Sequence, residues 1–363
     1  MMEGDLRGLV EKLETTRSLS ENEYKMLLDG YSPEIAELIT GKAVRIRQKI
    51  YGKSVYVRGL IEISNICGND CLYCGIRRSN TRCERYRLTK EEILSCCEEG
   101  YRLGMRSFVL QGGEDGYYSD GILTEIVADI RQKYPDCAIT LSMGERDPES
   151  YRRLYLAGAN RYLLRHETAD EEHYGKLHPP EMSFRNRMNC LQILKETGFQ
   201  TGCGLMVGSP YQTTETLAKD LKFIEEFQPQ MCGIGPFIPH HATPFAEEPA
   251  GNVELTCYLL SIVRLIVPNV LLPATTALGT ADADGRQKGI LAGANVVMPN
   301  LSPLSVRKKY ELYDNKISTG EESAQSVELL RRKIAECGYE MAVDRGDVRL
   351  EVSERESGVY EKV

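Results

Sequence analysis

The sequence predicts an α/β fold, a complete (β/α)8 barrel of the triose-phosphate-isomerase type with helical extensions before and after it. Three observations predict it. Eight short runs rich in Val, Ile and Leu recur through the middle of the 363-residue chain, a pattern suited to strands buried on both faces. Each run leads into polar turn residues and then an amphipathic helical pattern, the alternation of a parallel sheet. No long linker interrupts the series, and no Gly-rich dinucleotide-binding turn follows the first run, so a closed barrel is favoured over an open doubly wound sheet.

Residues 1–52 form the amino-terminal helical extension, with Leu6, Val10 and Leu13, then Ile35, Leu38 and Ile39, at helical spacing. Residues 53–300 form the barrel. Its strands are expected at Leu60–Ser64, Ser107–Gln111, Ala138–Ser142, Arg161–Arg165, Gly202–Val207, Met231–Pro236, Leu271–Thr275 and Asn295–Pro299. Thr89 and Glu92 make a capping box that opens one intervening helix. Leu217, Leu221 and Ile224 line up as the apolar stripe of another. Residues 301–363 close the barrel with a helix marked by Val327, Leu330 and Ile334 and end in a loose, charged tail, LEVSERESGVYEKV.

Apolar residues make up 42% of the chain and charged residues 27%, ordinary values for a globular enzyme. The net charge of −8 argues against a nucleic-acid binder, which needs a basic face for phosphates. No apolar stretch is long enough for a membrane span, and the acidic, amphipathic start lacks the apolar core of a secretory signal. The expected location is the cytoplasm, where the twelve cysteines would be reduced thiols.

In a parallel barrel, chemistry collects at the carboxyl ends of the strands. Several polar groups fall there: Gln111-Gly-Gly-Glu-Asp115, Ser142, Arg165-His-Glu-Thr168, Thr275 and Thr276. Directly after the first strand come Cys67, Cys71 and Cys74. Their spacing admits two readings. A structural zinc site would need a fourth ligand; Cys83 is the next thiol, but no second Cys-x2-Cys pair follows. A 4Fe–4S cluster held by only three thiolates would keep one iron open to a small molecule.

Cys-x3-Cys-x2-Cys in a loop after the first barrel strand resembles the signature of the radical S-adenosylmethionine (SAM) enzymes. The resemblance implies one 4Fe–4S cluster, bound by Cys67, Cys71 and Cys74, whose open iron chelates the methionine end of SAM. Reductive cleavage of SAM would then give methionine and a 5′-deoxyadenosyl radical, with the protein positioning the cofactors. Gly112, Gly113 and Glu114 resemble the segment that binds the SAM amino group, and Tyr73 the aromatic that flanks the adenine.

Further blocks are more specific. IEISNICGNDCLYCGIRRSN, FVLQGGED, RYLLRHET, GLMVGSPYQT, GIGPFIPHHATP, LPATTALGT and GANVVMPN together resemble the HydE family of FeFe-hydrogenase maturases, from about residue 50 to about residue 316. That resemblance implies that Arg187 pairs with the SAM carboxylate, with Glu167 and Ser142 beside it. It places Arg161, Arg165, Thr275 and Thr276 in anion binding within the barrel, and Tyr310 and Tyr313 along its lower lining. It implies radical attack on the sulfur of a cysteine-bearing iron carbonyl–cyanide complex supplied by HydG, toward a dithiomethylamine-bridged diiron subcluster assembled on HydF. An electron donor such as ferredoxin or flavodoxin is implied, with no nucleic acid and no membrane. The chain departs from some HydE proteins in one respect: the segment LYDNKISTGEESAQSVELL has no cysteine, so no second cluster is expected. His240 and His241 are adjacent, but no third ligand lies near them in sequence.

Three rivals carry different tests. Methylornithine synthase (PylB) shares the cysteine block, but LQGGED and LPATTALGT favour the HydE family. Biotin synthase would need a second set of cluster ligands. A non-catalytic iron–sulfur scaffold would bind iron and never cleave SAM.

Overall fold

A computed structural model describes residues 3–317 and 324–349. The expected tail, 350–363, lies outside the described residues, as does 318–323 within the cysteine-free segment.

Helices α1 (Glu3–Thr16), α2 (Glu21–Asp29) and α3 (Pro33–Tyr51) come first. Ser20 and Glu23 form a capping box on α2, and Ser32 caps α3 with Pro33 at its first turn, where a missing N–H costs nothing. Leu6, Val10, Leu13, Ile35 and Ile39 are all buried. The barrel then runs β1 (Ser54–Val57), β2 (Gly59–Ser64), α4 (Lys90–Arg102), β3 (Ser107–Gly112), α5 (Asp120–Lys133), β4 (Ala138–Ser142), α6 (Pro148–Leu156) and β5 (Arg161–Leu163). It continues through α7 (Glu171–Leu177), α8 (Phe184–Thr197), β6 (Gln200–Val207), α9 (Thr214–Phe227), β7 (Met231–Pro236) and α10 (Val253–Ile266). Last come α11 (Thr276–Ala281), α12 (Gly285–Leu291), β8 (Val296–Val297), α13 (Leu304–Arg307), α14 (Val327–Glu336) and β9 (Glu340–Ala342). The capping box of Thr89 and Glu92 opens α4 as expected, and Leu217, Leu221 and Ile224 are buried on α9.

Strands β2 to β7 form one parallel sheet in chain order. Closure departs from the expected pattern in three places. The run at 271–275 is not a regular strand but two parallel bridges, Met231↔Leu271 and Pro273↔Val296. Pro273 has no N–H for the ladder, and Thr275 already caps α11. Even so, Leu271 N–H reaches Gln230 O at 2.9 Å and Ala274 N–H reaches Val296 O at 2.9 Å. β8 is shorter than expected, yet Leu60 N–H donates to Pro299 O at 2.9 Å. The first stave is split: β1 pairs with β8, and β2 with β3. Counting β1 and β2 as one stave and 271–273 as another, eight staves close the barrel.

A further strand was not expected from the sequence. β9 adds in parallel to the free edge of β1, with Ser54 opposite Glu340. The chain that follows fills the foot of the barrel and corrects the expectation for Arg161. This residue is the first of β5 and is fully buried. Its Nη2 donates to Asp347 Oδ1 at 2.6 Å and to the carbonyls of Arg345 and Gly346 at 2.9 and 2.8 Å, and Nη1 donates to Ser107 Oγ at 3.0 Å. Arg161 is therefore a structural ion-pair partner at the amino end of its strand, away from the mouth. Gly346 has φ +64°, and a Cβ there would meet the Tyr56 ring at 2.8 Å, so only glycine lets the segment lie this close.

Candidate active site

The thiol loop leaves β2 and is held by its own polar side chains. Arg85 gathers four carbonyls, donating to Asn65, Ile76, Arg77 and Asn80 at 2.5–3.0 Å. Asp70 pairs with Arg77 at 2.7 Å and accepts from Ser79 N–H at 2.9 Å. The turn after β3 locks against it. Asp115 takes both Arg87 nitrogens at 2.7 and 2.9 Å and the Ser64 hydroxyl at 2.7 Å. Glu114 N–H donates to Cys67 Sγ at 3.4 Å. A Cβ on Gly113 would lie 2.2 Å from Ile66 O and 2.8 Å from Cys67 Cβ. Gly113→Ala is accordingly expected to push the thiol loop outward: iron uptake on anaerobic reconstitution should fall several-fold while the far-ultraviolet circular dichroism stays that of the wild type.

Cys67, Cys71 and Cys74 open on one cavity of about 290 Å³. The same cavity is lined by Tyr73, Gly112, Gly113, Glu114, Ser142, Arg165, Glu167, Arg187, Thr275, Tyr310 and Tyr313. Of the sequence-derived residues, Arg161 and Thr276 do not line it. Thr275 caps α11 with its hydroxyl near Leu278 N–H, and the helical turn carries the next residue round and away. Cys83 lies in a separate outer groove, so it does not join the triad.

The residues fit the group the triad implies. Burial raises the thiol of Cys67, drives that of Cys71 well above its ordinary value, and pushes Cys74 up to about 12. Neighbouring thiols reinforce the effect for Cys71 and Cys74, and binding to a metal cluster would favour the thiolates that burial opposes. Arg187 is buried, with Nε on Glu145 at 2.5 Å and Nη1 on Arg165 O at 2.8 Å. Its Nη2 takes no partner among the described residues and is available to a carboxylate. Arg165 pairs with Glu167 at 3.0 Å, and its buried Nε has no hydrogen-bond partner. Glu167 itself holds φ +64°, a strained conformation for a side chain of this kind that turns the carboxylate into the cavity.

Other residues were missed by sequence reasoning. The Tyr73 hydroxyl meets His178 Nε2 at 3.2 Å, while His178 Nδ1 meets Tyr174 O at 2.9 Å. Burial lowers the imidazole to about 3, so it is neutral, donating from Nδ1 and accepting from Tyr73. Glu145, the partner of Arg187, follows β4 by three residues; its position past a strand end was the available signal. Lys316 reaches Glu62 Oε1 at 2.6 Å and Tyr310 O at 2.9 Å, which holds the Tyr310–Tyr313 segment over the cavity. His240 and His241 do have a third neighbour, Asp314, 2.7 Å from His241 Nδ1. But Ala242 N–H donates to His240 Nδ1 at 3.0 Å, leaving the ring proton on Nε2, where a metal would need the lone pair.

Residues 61–224 match the model of the Radical SAM superfamily. The match and the thiol triad agree on the class: the chain is a radical SAM enzyme, a class whose cofactors are a 4Fe–4S cluster and SAM. Over 340 residues, 94% of this chain and 97% of the relative, it is 42% identical to the [FeFe] hydrogenase maturase subunit HydE of Thermotoga maritima. The chain belongs to the HydE family. It is also 29% identical over 325 residues to 3-methylornithine synthase of Methanosarcina acetivorans, covering 89% of this chain and 91% of the relative. The crystal structure of methylornithine synthase (PylB) matches with a TM-score of 0.79 at 28% identity, over 92% of this chain and 97% of that one. No described helix is long and apolar enough to cross a membrane.

Proposed function

We propose that this enzyme acts in FeFe-hydrogenase maturation, on a cysteine-bearing iron carbonyl–cyanide complex, toward the dithiomethylamine-bridged diiron subcluster. When bound, the cluster and SAM supply one-electron cleavage of a carbon–sulfur bond and a 5′-deoxyadenosyl radical. The chain's own residues do the rest. Cys67, Cys71 and Cys74 hold the cluster. Gly112, Gly113, Glu114, Ser142 and Glu167 surround the amino end of SAM, Arg187 takes its carboxylate, and Tyr73, braced by His178, flanks its adenine.

The observation that carries the substrate reading is that Arg165 and Thr275 line the same cavity as the triad. A guanidinium with an unpartnered N–H and a hydroxyl offer charge-assisted hydrogen bonds to an anionic, cyanide-bearing ligand, and Tyr310 and Tyr313 shield it from water. One cluster is proposed, since residues 312–330 contain no cysteine. HydG as supplier, HydF as acceptor and a reducing cytoplasm complete the reading.

The test combines the chain with HydF and HydG and an apo FeFe-hydrogenase. Arg165→Met is expected to retain 5′-deoxyadenosine formation within about twofold while hydrogenase activation drops by roughly tenfold or more, the loss of one buried charge-assisted contact. Full activation by this variant would remove the anion-site reading. Arg165 beside Glu167 also matches the two charges of an amino acid, and the likeness to methylornithine synthase supports that second reading. Isomerisation of lysine, with no hydrogenase activation, would select it.

A further inference from the structure

A second groove lies directly behind the thiol loop. It has a volume of about 390 Å³ and opens to solvent between Arg82 and Lys308. Its inner wall is one residue thick. His240, 3% exposed, packs on Gly75 so closely that a Cβ there would lie 2.3 Å from the ring, and Gly75 follows Cys74 in the chain. Gly75 N–H donates to Leu312 O at 2.8 Å. Leu312 faces the active cavity, whereas its neighbour Glu311 faces the groove. The groove and the cavity are thus separated by Gly75, His240 and the peptide joining 311 to 312.

The rim of this groove carries a small excess of positive charge, Arg82, Lys308 and Lys309 against Glu84 and Glu311. Arg82 and Lys308 are exposed and form no ion pair among the described residues. Lys309 is already paired with Glu84. Beside them Leu304 is 70% exposed. In a chain of net charge −8, two cations without an ion pair beside an exposed leucine are a surface that attracts an acidic protein.

We propose that this groove docks an acidic one-electron carrier protein, which delivers its electron across the Gly75–His240 wall to the cluster held by Cys67, Cys71 and Cys74. The inference rests on the radical SAM reading. The step balances as a single electron: the reduced carrier is oxidised by one, the cluster is reduced by one, and no bond or proton moves. Redox partners of this kind bury little area and are guided by charge, which suits a small basic rim.

The test uses reduced flavodoxin as the carrier and the double variant Arg82→Glu/Lys308→Glu. Its dissociation constant, measured by calorimetry on both the apo-chain and the reconstituted enzyme, is expected to rise by about tenfold or more, with a flatter salt dependence. Flavodoxin-driven SAM cleavage should fall in parallel, while dithionite-driven cleavage stays at the wild-type rate. Arg152→Glu/Arg153→Glu, on the remote helix α6, should leave carrier binding unchanged. Undiminished binding by the first variant, or equal weakening by the second, would overturn the docking site. Failure of the wild type to cleave SAM with dithionite would instead overturn the radical SAM reading, and the binding result would stand apart from it.

Discussion

Cys71→Ala is expected to abolish SAM cleavage in a chain that remains folded. The thiol's contacts are weak, among them 3.7 Å to Met182 Sδ, and it sits in a loop held by Arg85 and Asp70, so the cost in stability should be about 1 kcal/mol. Function should respond very differently. A triad has no spare ligand, and Cys83 opens on the outer groove, where it cannot substitute. Iron content after anaerobic reconstitution and 5′-deoxyadenosine by chromatography would read the two halves of the expectation. Four irons and measurable cleavage in this variant would remove Cys71 from the cluster.

Arg161→Met should do the reverse. Asp347 is partly exposed and keeps Arg345 and Gln200, so the cost lies in the carbonyls of Arg345 and Gly346 and the Ser107 hydroxyl that lose their donor, about 1–3 kcal/mol. Urea unfolding should register that loss, while SAM cleavage well below the transition should remain near the wild-type rate, because the side chain does not reach the cavity. Acid provides a second readout. Burial alone would raise the Asp347 carboxyl, but the charge of Arg161 and the Arg345 contact override it and hold it at about 2 against an ordinary 3.8. A depressed carboxyl stabilises the fold fully above its ordinary value and ceases to as pH falls through its folded value. The wild type should therefore lose stability between about pH 4 and pH 2, and this component should be flattened in Arg161→Met.

The two arginines of RYLLR show what could be read from the sequence and what could not. Both point to the barrel's interior by the alternation of a strand, and likeness to the HydE family alone assigns them one role. Four residues of extended chain separate them by about 13 Å, so one lies at the foot and the other at the mouth. Strand polarity was the legible clue, since only carboxyl ends face the chemistry. The Asp347 partner was not legible, because a lone Asp in a polar stretch carries no pattern. β9 was missed for the same reason: Glu-Met-Ala is too short to show alternation. The stave at 271–273 was legible from its apolar run, although Pro273 prevents a regular ladder. Cavity residues that the family likeness marks were found, while His178 and Glu145, which act by bracing Tyr73 and Arg187, depend on contacts made only once the chain is folded.

The position of β1 between β8 and β9 has a consequence for the timing of biosynthesis. Strand β1 ends at Val57, and its partners begin at Val296 and Glu340. A ribosome adds roughly 5–20 residues per second, so the first stave waits on the order of 10–50 s before either neighbour exists. During that interval its hydrogen-bonding edge is open, and the thiol loop emerges long before Tyr310 and Lys316 can cover it. Cluster insertion into a closed pocket is therefore a late event in the life of the chain, and interrupted translation would leave an unpaired edge beside three bare thiols.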